Sequence, residues 1–226
     1  MNVLAVVIAC GKEEELDSGA EVGFLTLGDM PVLAHSMKTL QGTPSVDGVI
    51  LAVSKARVDA ALHLIRRYGF SKIKGVVVGG TSRASTLKTV FNKIPNSPSV
   101  ILLHEASRPF TTKAVFDNAV KSAKRYGCAI AAHRLLDAVK TAPKGLKAAA
   151  TLERHTAWRA ETPQVFKIDI LEKIIKNKAF VIIDDESEFI RKPAEVHMVE
   201  SGPLNLKIRN SGDLAIASAY INAKLV

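Results

Sequence analysis

The chain's 226 residues are 47% hydrophobic and 23% charged, with a net charge of +9, which fits one large soluble α/β domain and excludes a disordered or fibrous chain. Two cysteines, Cys10 and Cys128, are too few for a disulfide framework and point to a reducing, cytoplasmic setting, while the apolar run from Val3 to Cys10 is too short to span a bilayer. The basic residues are scattered and only 5% of the chain is aromatic, so the charge suits small phosphorylated ligands at least as well as nucleic acid, which is the remote reading.

Apolar runs alternate with helical patterns from the first residue. The first strand is expected at residues 3–8. Residues 9–30 then form a loop far longer than a usual strand-to-helix turn, and loops of that length are commonly functional. A second strand at residues 48–53 precedes Val58, Ala61, Leu62, Ile65 and Tyr68, which keep helical spacing up to Gly69. Strands at 74–78 and 99–104 bracket a helix over 84–94. Phe116, Ala119, Val120, Ala123 and Tyr126 repeat the helical pattern, with Thr111 or Thr112 as N-cap and Gly127 as terminator. A fifth strand follows at 128–132. Residues 134–157, with Pro143, Gly145 and a run of alanines at 148–150, leave the core as a β-arm. The last helix covers about 211–223. The strands lack clean alternation, as expected of strands buried on both faces. The pattern predicts a doubly wound, mostly parallel sheet in one domain, residues 1–226, with a protruding arm at 134–157.

Two turns carry the chemistry. Val100 to Leu103 leads into His104-Glu105-Ala106-Ser107-Arg108-Pro109, and open α/β sheets bind ligands outside such strand ends. A carboxylate can hold Mg²⁺ and an arginine can hold phosphate, so Glu105 and Arg108 suit a metal-bound nucleotide; the plainer reading is a salt-bridged turn. Gly79-Gly80-Thr81-Ser82-Arg83-Ala84-Ser85 follows another strand and opens a helix. Its glycines admit a ligand to the backbone and its free N–H groups favour an anion, although Ser82 or Thr81 as N-cap accounts for half of the pattern. The Walker pattern is absent, and so is a dinucleotide fingerprint: the turn after the first strand reads Ala9-Cys10-Gly11-Lys12-Glu13. His35, His63, His104 and His197 read as structural, and His133 with Arg134 leads into the arm.

Taken in order, these two turns, then Thr162-Pro163-Gln164 and Asn205-Leu206-Lys207-Ile208, resemble the methylerythritol-phosphate cytidylyltransferase family across nearly the whole chain; ribitol-phosphate cytidylyltransferases are similar. The resemblance implies a Rossmann-like fold of the nucleotide-diphospho-sugar transferase type, CTP as donor, a polyol phosphate as acceptor, Mg²⁺ as cofactor and a homodimer joined by the arm. In that reaction the acceptor's phosphate attacks the α-phosphorus of CTP in line and pyrophosphate leaves, so positioning and charge stabilisation carry the catalysis. By position, Ala9, Gly11, Gly79, Gly80, Thr81, Ser82, Ser85, Glu105 and Ala106 would meet the nucleotide. Glu105 would hold the metal, and Lys207 and Lys12 would face the phosphates. Arg108, Thr162 and Asp184 would line the acceptor's side. Arg154, in the arm's return, would reach across the dimer to the acceptor's phosphate and join the catalytic set.

The chain departs from the family in its first loop. Where the family has a glycine-rich, arginine-bearing loop and then Pro-Lys-Gln, this chain reads Lys12-Glu13-Glu14-Glu15-Leu16-Asp17 and then Glu21-Val22-Gly23. Lys12 is the only cation of that loop, and its acids stand where a triphosphate is expected. At ~4 Å each repulsion costs roughly 1 kcal/mol in water and about 4 at an effective dielectric of 20. Ala138 follows Asp137 where the family has threonine, Asp184-Asp185-Glu186 replaces a threonine-led triplet, and Leu204 replaces an aspartate. The expected function is cytidylyl transfer to methylerythritol 4-phosphate in isoprenoid precursor synthesis. The alternatives are an impaired or inactive homologue acting as a binding or scaffold protein, and a ribitol-phosphate enzyme. On this reading, an arginine in the loop and a lysine at Val22 restore turnover.

Overall fold

The structure of the protein, a computed structural model, describes residues 2–94, 98–143, 145–177 and 194–226. Strand β1 (Val3–Ala9) is followed by a two-residue hairpin, β2 (Thr26–Leu27) and β3 (Met30–Pro31), and then by β4 (Gly48–Val53), β5 (Ile73–Val78), β6 (Val100–Glu105) and β7 (Gly127–Arg134). The arm carries β8 (Val139–Thr141) and β9 (Ala150–Leu152), after which β10 (Trp158–Lys167) and β11 (Glu195–Glu200) complete the set. Seven of these strands form one sheet in the order β11-β7-β10-β6-β1-β4-β5. All of its pairings are parallel except those of β10, which runs antiparallel to both neighbours.

The continuous apolar runs follow from burial on both faces. Val3, Ala5, Val7 and Ala9 enter one core, covered by α1 (Val32–Gln41), α2 (Val58–Tyr68) and α4 (Lys113–Tyr126). Leu4, Val6, Ile8 and Cys10 enter the other, covered by α3 (Arg83–Phe91) and α5 (Ile168–Lys176). Each buried Val, Leu or Ile side chain contributes roughly 1.5–3 kcal/mol. Helix ends follow the sequence signals: Gly69 after α2 is left-handed at φ 64°, and Thr112 caps α4 by accepting the Val115 N–H.

The five expected strands stand within two residues of their predicted bounds. Not foreseen were β10, β11, α1 and α5. Strand β10 mixes Arg159, Glu161 and Pro163 with apolar residues, and its register shifts between Glu161 and Gln164, which is where a proline is tolerated. His197 lies on β11 and stacks on Tyr126.

Two features of this topology place a site. The chain fills β4 and β5 on one side of β1, then returns across the opposite face through α3 to β6 on the other side. The carboxyl ends of β1 and β6 therefore open a crevice, the position where such sheets bind ligands. Below it, the long first loop has its own small core: Val22, Leu27, Val32, Phe110, Ile208 and Ala217, with α6 (Ser211–Asn222) packed over it. The arm's β8 and β9 pair antiparallel, and Leu136, Leu146 and Leu152 are exposed on this excursion. No helix among the described residues is long and apolar enough to cross a membrane.

Candidate active site

The end of β6 turns sharply because Arg108 N–H bonds back to the Glu105 carbonyl at 3.1 Å. Both oxygens of the Glu105 carboxylate meet cations. Lys207 Nζ donates to Oε1 at 2.5 Å, Arg108 Nε donates to Oε2 at 2.7 Å, and Arg83 stands 3.9 Å away. Burial opposes ionisation of Glu105, but Lys207, Arg108 and Arg83 outweigh it and hold the carboxyl well below its usual range. Its backbone N–H donates to Thr162 Oγ1 at 3.1 Å, so the bulge of β10 locks onto the turn.

Glu161, just before that threonine, is a second buried carboxylate. It accepts from Arg159, Ser201 and Asn205, and Arg108 Nη1 lies 3.8 Å from it. Asn205 in turn accepts from Thr111 at 2.6 Å, and its carbonyl accepts from Arg108 at 2.9 Å. Arg108 thus joins β6, β10 and the segment carrying Lys207. His104 packs edge-on to Phe116 between the hydroxyls of Ser36 and Thr162. Burial pushes its pKa down to about 3, so the ring is neutral and serves packing.

The turn at 79–85 is braced by its own hydrogen bonds. Four of its N–H groups have partners: Gly79 donates to Val53 O, Gly80 to Thr86 Oγ1, Ser82 to Ser85 Oγ and Ser85 to Ser82 Oγ. Ser82 and Ser85 form a capping box on α3. A Cβ on Gly79 would collide with Cys10 Sγ, and one on Gly80 with the Ser85 hydroxyl, so both glycines are demanded by packing. Thr81 stays exposed, and Arg83 points to the cavity beside Gln164.

The first loop differs from expectation. Its acids neither crowd a common point nor all face water. Glu14 is 1% exposed, and its carboxylate accepts the Ser107 N–H at 2.9 Å and the Ser107 hydroxyl at 2.8 Å. Burial and the charge of Glu105 push it up to about 8, against Lys207 and the two bonds from Ser107. Glu21 pairs with Arg57 at 2.5 Å. Only Glu13 lines the cavity. Val22 is fully buried in the loop's core, so a lysine there would bury a charge and could not restore a missing cation.

Glu13, Arg83, Glu105, Arg108, Glu161 and Thr162 line a cavity of about 350 Å³ together with Gln164, Lys207 and Arg209, within the range of small-ligand sites. A larger cavity of about 480 Å³, between Phe110, Ile221 and Leu225, has only exposed or half-buried charged groups; the smaller one holds the buried charges and is the candidate site. Of the sequence-derived residues, Glu105, Arg108, Thr162 and Lys207 come together there. Ala9 and Gly11 lead into the crevice from β1, and Ala106 is tied to it through its N–H on Ile8 O. Lys12 is exposed, its N–H reaching Thr81 O at 3.4 Å. Arg154 lies in the exposed turn of the arm, away from the cavity lining of this chain. Asp184 falls outside the described residues. Sequence reasoning passed over Glu14, Arg83, Glu161 and Arg209; Arg83 and Glu161 sit inside or beside quoted motifs, a signal that could have found them.

Glu105 is an ionised hard-oxygen donor of the kind Mg²⁺ takes, and such ions are commonly held by one or two carboxylates plus substrate phosphates. No group of three or more His, Cys, Asp or Glu among the described residues could form a cage by itself. The residues present therefore fit a metal that shares its shell with a nucleotide.

A family model described as 2-C-methyl-D-erythritol 4-phosphate cytidylyltransferase (IspD) matches residues 3–223. The protein of that name from Lysinibacillus sphaericus is 30% identical over 99% of this chain and 97% of its own length. Its namesake from Shouchella clausii is 29% identical over 99% and 98%. Among solved structures, 4-diphosphocytidyl-2C-methyl-D-erythritol synthase from Anaerococcus prevotii matches with a TM-score of 0.84 at 23% identity, covering 98% of this chain and 96% of that one. That structural likeness speaks for the fold.

Proposed function

Because this chain belongs to the 2-C-methyl-D-erythritol 4-phosphate cytidylyltransferase family, we propose that it transfers the cytidylyl group of CTP to methylerythritol 4-phosphate and releases pyrophosphate. The observation that carries this reading is the meeting of Lys207, Arg108 and Arg83 around Glu105 at the switch point of the sheet. Four cations, with Arg209, line the cavity against three carboxylates, a balance suited to a triphosphate with a metal ion.

The chain's own residues act by placement. Lys207 exchanges its bond to Glu105 for the phosphates of CTP and neutralises the charge that builds as the α-phosphorus is attacked. Mg²⁺, when bound at Glu105, supplies further charge neutralisation on the same phosphates. Arg108 keeps Glu105 and the 205–207 segment in register, and Thr162 offers its hydroxyl on the acceptor's side. With its hydroxyls engaged in capping, the 79–85 turn meets cytosine and ribose through its shape and the exposed Thr81. Lys12 reaches the phosphates from the loop. Arg154 acts on the acceptor from a second copy of the chain, the exposed leucines of the arm supporting a homodimer. Cys10 and Cys128 are both buried, and so few cysteines support a reducing cytoplasmic setting.

Purified protein with CTP, Mg²⁺ and either methylerythritol 4-phosphate or ribitol 5-phosphate, followed by mass spectrometry, tests the proposal. A cytidine-diphosphate product with the first acceptor supports it. Product only with the second reassigns the acceptor. No product with either, from folded protein beside an active control, sinks the reading and favours a silent homologue, for which the arginine-free first loop is the motive.

A further inference from the structure

We propose that Glu14 is a positioning residue of this site: its buried carboxylate pins the first loop to Ser107 and holds Lys207 in place for the incoming triphosphate. The inference rests on the function proposed above and deepens it. Glu14 is buried while its neighbours Lys12 and Glu13 are exposed. A carboxyl group, charged or protonated, is removed from water only where partners replace the lost hydration. Here they are built in. Ser107 gives both its N–H, at 2.9 Å, and its hydroxyl, at 2.8 Å. Lys207 Nζ, already bonded to Glu105, lies 4.0 Å from the Oε1 that accepts the hydroxyl. One side chain therefore links three segments distant in sequence: the turn Lys12–Glu14, the end of β6 and the strip carrying Lys207.

The consequence concerns how the loop is ordered. A loop that relies on its own cations is drawn into place by the ligand. This loop is held from beneath by its apolar core, from one flank by Glu21 on Arg57, and at the cavity by Glu14. It is set before a nucleotide arrives, and binding no longer has to order it. A residue that reads in sequence as repelling phosphate thus acts to shape the place where phosphate binds.

Three variants separate the parts: Glu14→Ala, which removes the pin; Glu14→Gln, which keeps polar partners for Ser107; and Ser107→Ala, which removes one of the two bonds. Hydrogen exchange on nucleotide-free protein reads residues 11–25. Glu14→Ala is expected to speed exchange there about tenfold or more, Ser107→Ala about fivefold, and Glu14→Gln less than about twofold, as fits the loss or retention of buried hydrogen bonds. In steady-state kinetics, Glu14→Ala is expected to raise KM for CTP about tenfold, leave KM for the acceptor within about twofold, and be largely rescued by Gln. Unchanged exchange in both Glu14→Ala and Ser107→Ala overturns the pin. A rise in both KM values in step with a fall in Tm reduces Glu14 to a stabilising role and overturns the positioning. Should Glu14→Ala fail to fold, Ser107→Ala decides by the same readings. If the wild-type protein does not bind CTP, the proposed function falls while the exchange measurement still decides the pin.

Discussion

The turns at residues 79–85 and 104–109 leave the same edge of the sheet and look alike in sequence: small residues, hydroxyls and an arginine. In the fold they diverge. The first turns inward on itself, its serines capping each other and its glycines there for packing. The second turns outward: besides the Arg108–Glu105 pair within it, its groups bond to partners 57 to 102 residues away. Local satisfaction makes a scaffold; long-range satisfaction makes a site. Arg83 is the link between them, standing in the first turn and serving the carboxylate of the second.

Substitution can break this contrast. Arg108→Leu is expected to cost the most, roughly 3–5 kcal/mol in urea denaturation, because it leaves Glu105 and Glu161 buried without their shared cation. Lys207→Ala should lower kcat/KM for CTP by about 10²–10³, the usual loss for a preorganised donor. Acid sharpens the contrast further. His104 has a folded pKa of about 3 against its ordinary 6.5, so the unfolded chain binds its proton first and stability is lost as pH falls from 6.5 towards 3. His104→Asn should flatten that slope in pH-dependent melting. Ser82→Ala should cost only about 1 kcal/mol, the value of a cap, and leave KM for CTP within about threefold. If Ser82→Ala instead matched Lys207→Ala in kinetics, the two turns would be equivalent and the contrast would collapse. Of similar size, Glu13→Gln should lower KM for CTP about fivefold by removing one acid from the cavity lining.

What could be read from sequence divides along the same line. Strands β1, β4, β6 and β7 are legible because burial on both faces makes each a short apolar run, and the edge strand β5 is legible from its run of valines. Strand β10 is not, since one half pairs beside the arm and the other carries a proline at a bulge. Strand β11 reads Glu-Val-His-Met-Val-Glu, an exposed pattern at the edge of the sheet. In the site, Glu105, Arg108, Thr162 and Lys207 stand inside compact motifs. Glu14 could not be read, because its partner Ser107 is 93 residues away and nothing local distinguishes a buried glutamate from the exposed ones beside it. The error at Val22 has the same origin: a motif position gives the residue type and not the side it faces.

The small core beneath the first loop has a consequence for how the molecule is assembled during synthesis. Val22, Leu27 and Val32 close on Ile208 and Ala217, so this layer joins parts of the chain separated by most of its length. The β1–β4 pairing can form once the first quarter of the protein has emerged. The loop cannot settle until residues 208–217 follow. Contacts of such separation are the slow ones in folding, so this wall of the crevice is completed among the last steps, on a sheet that is already built.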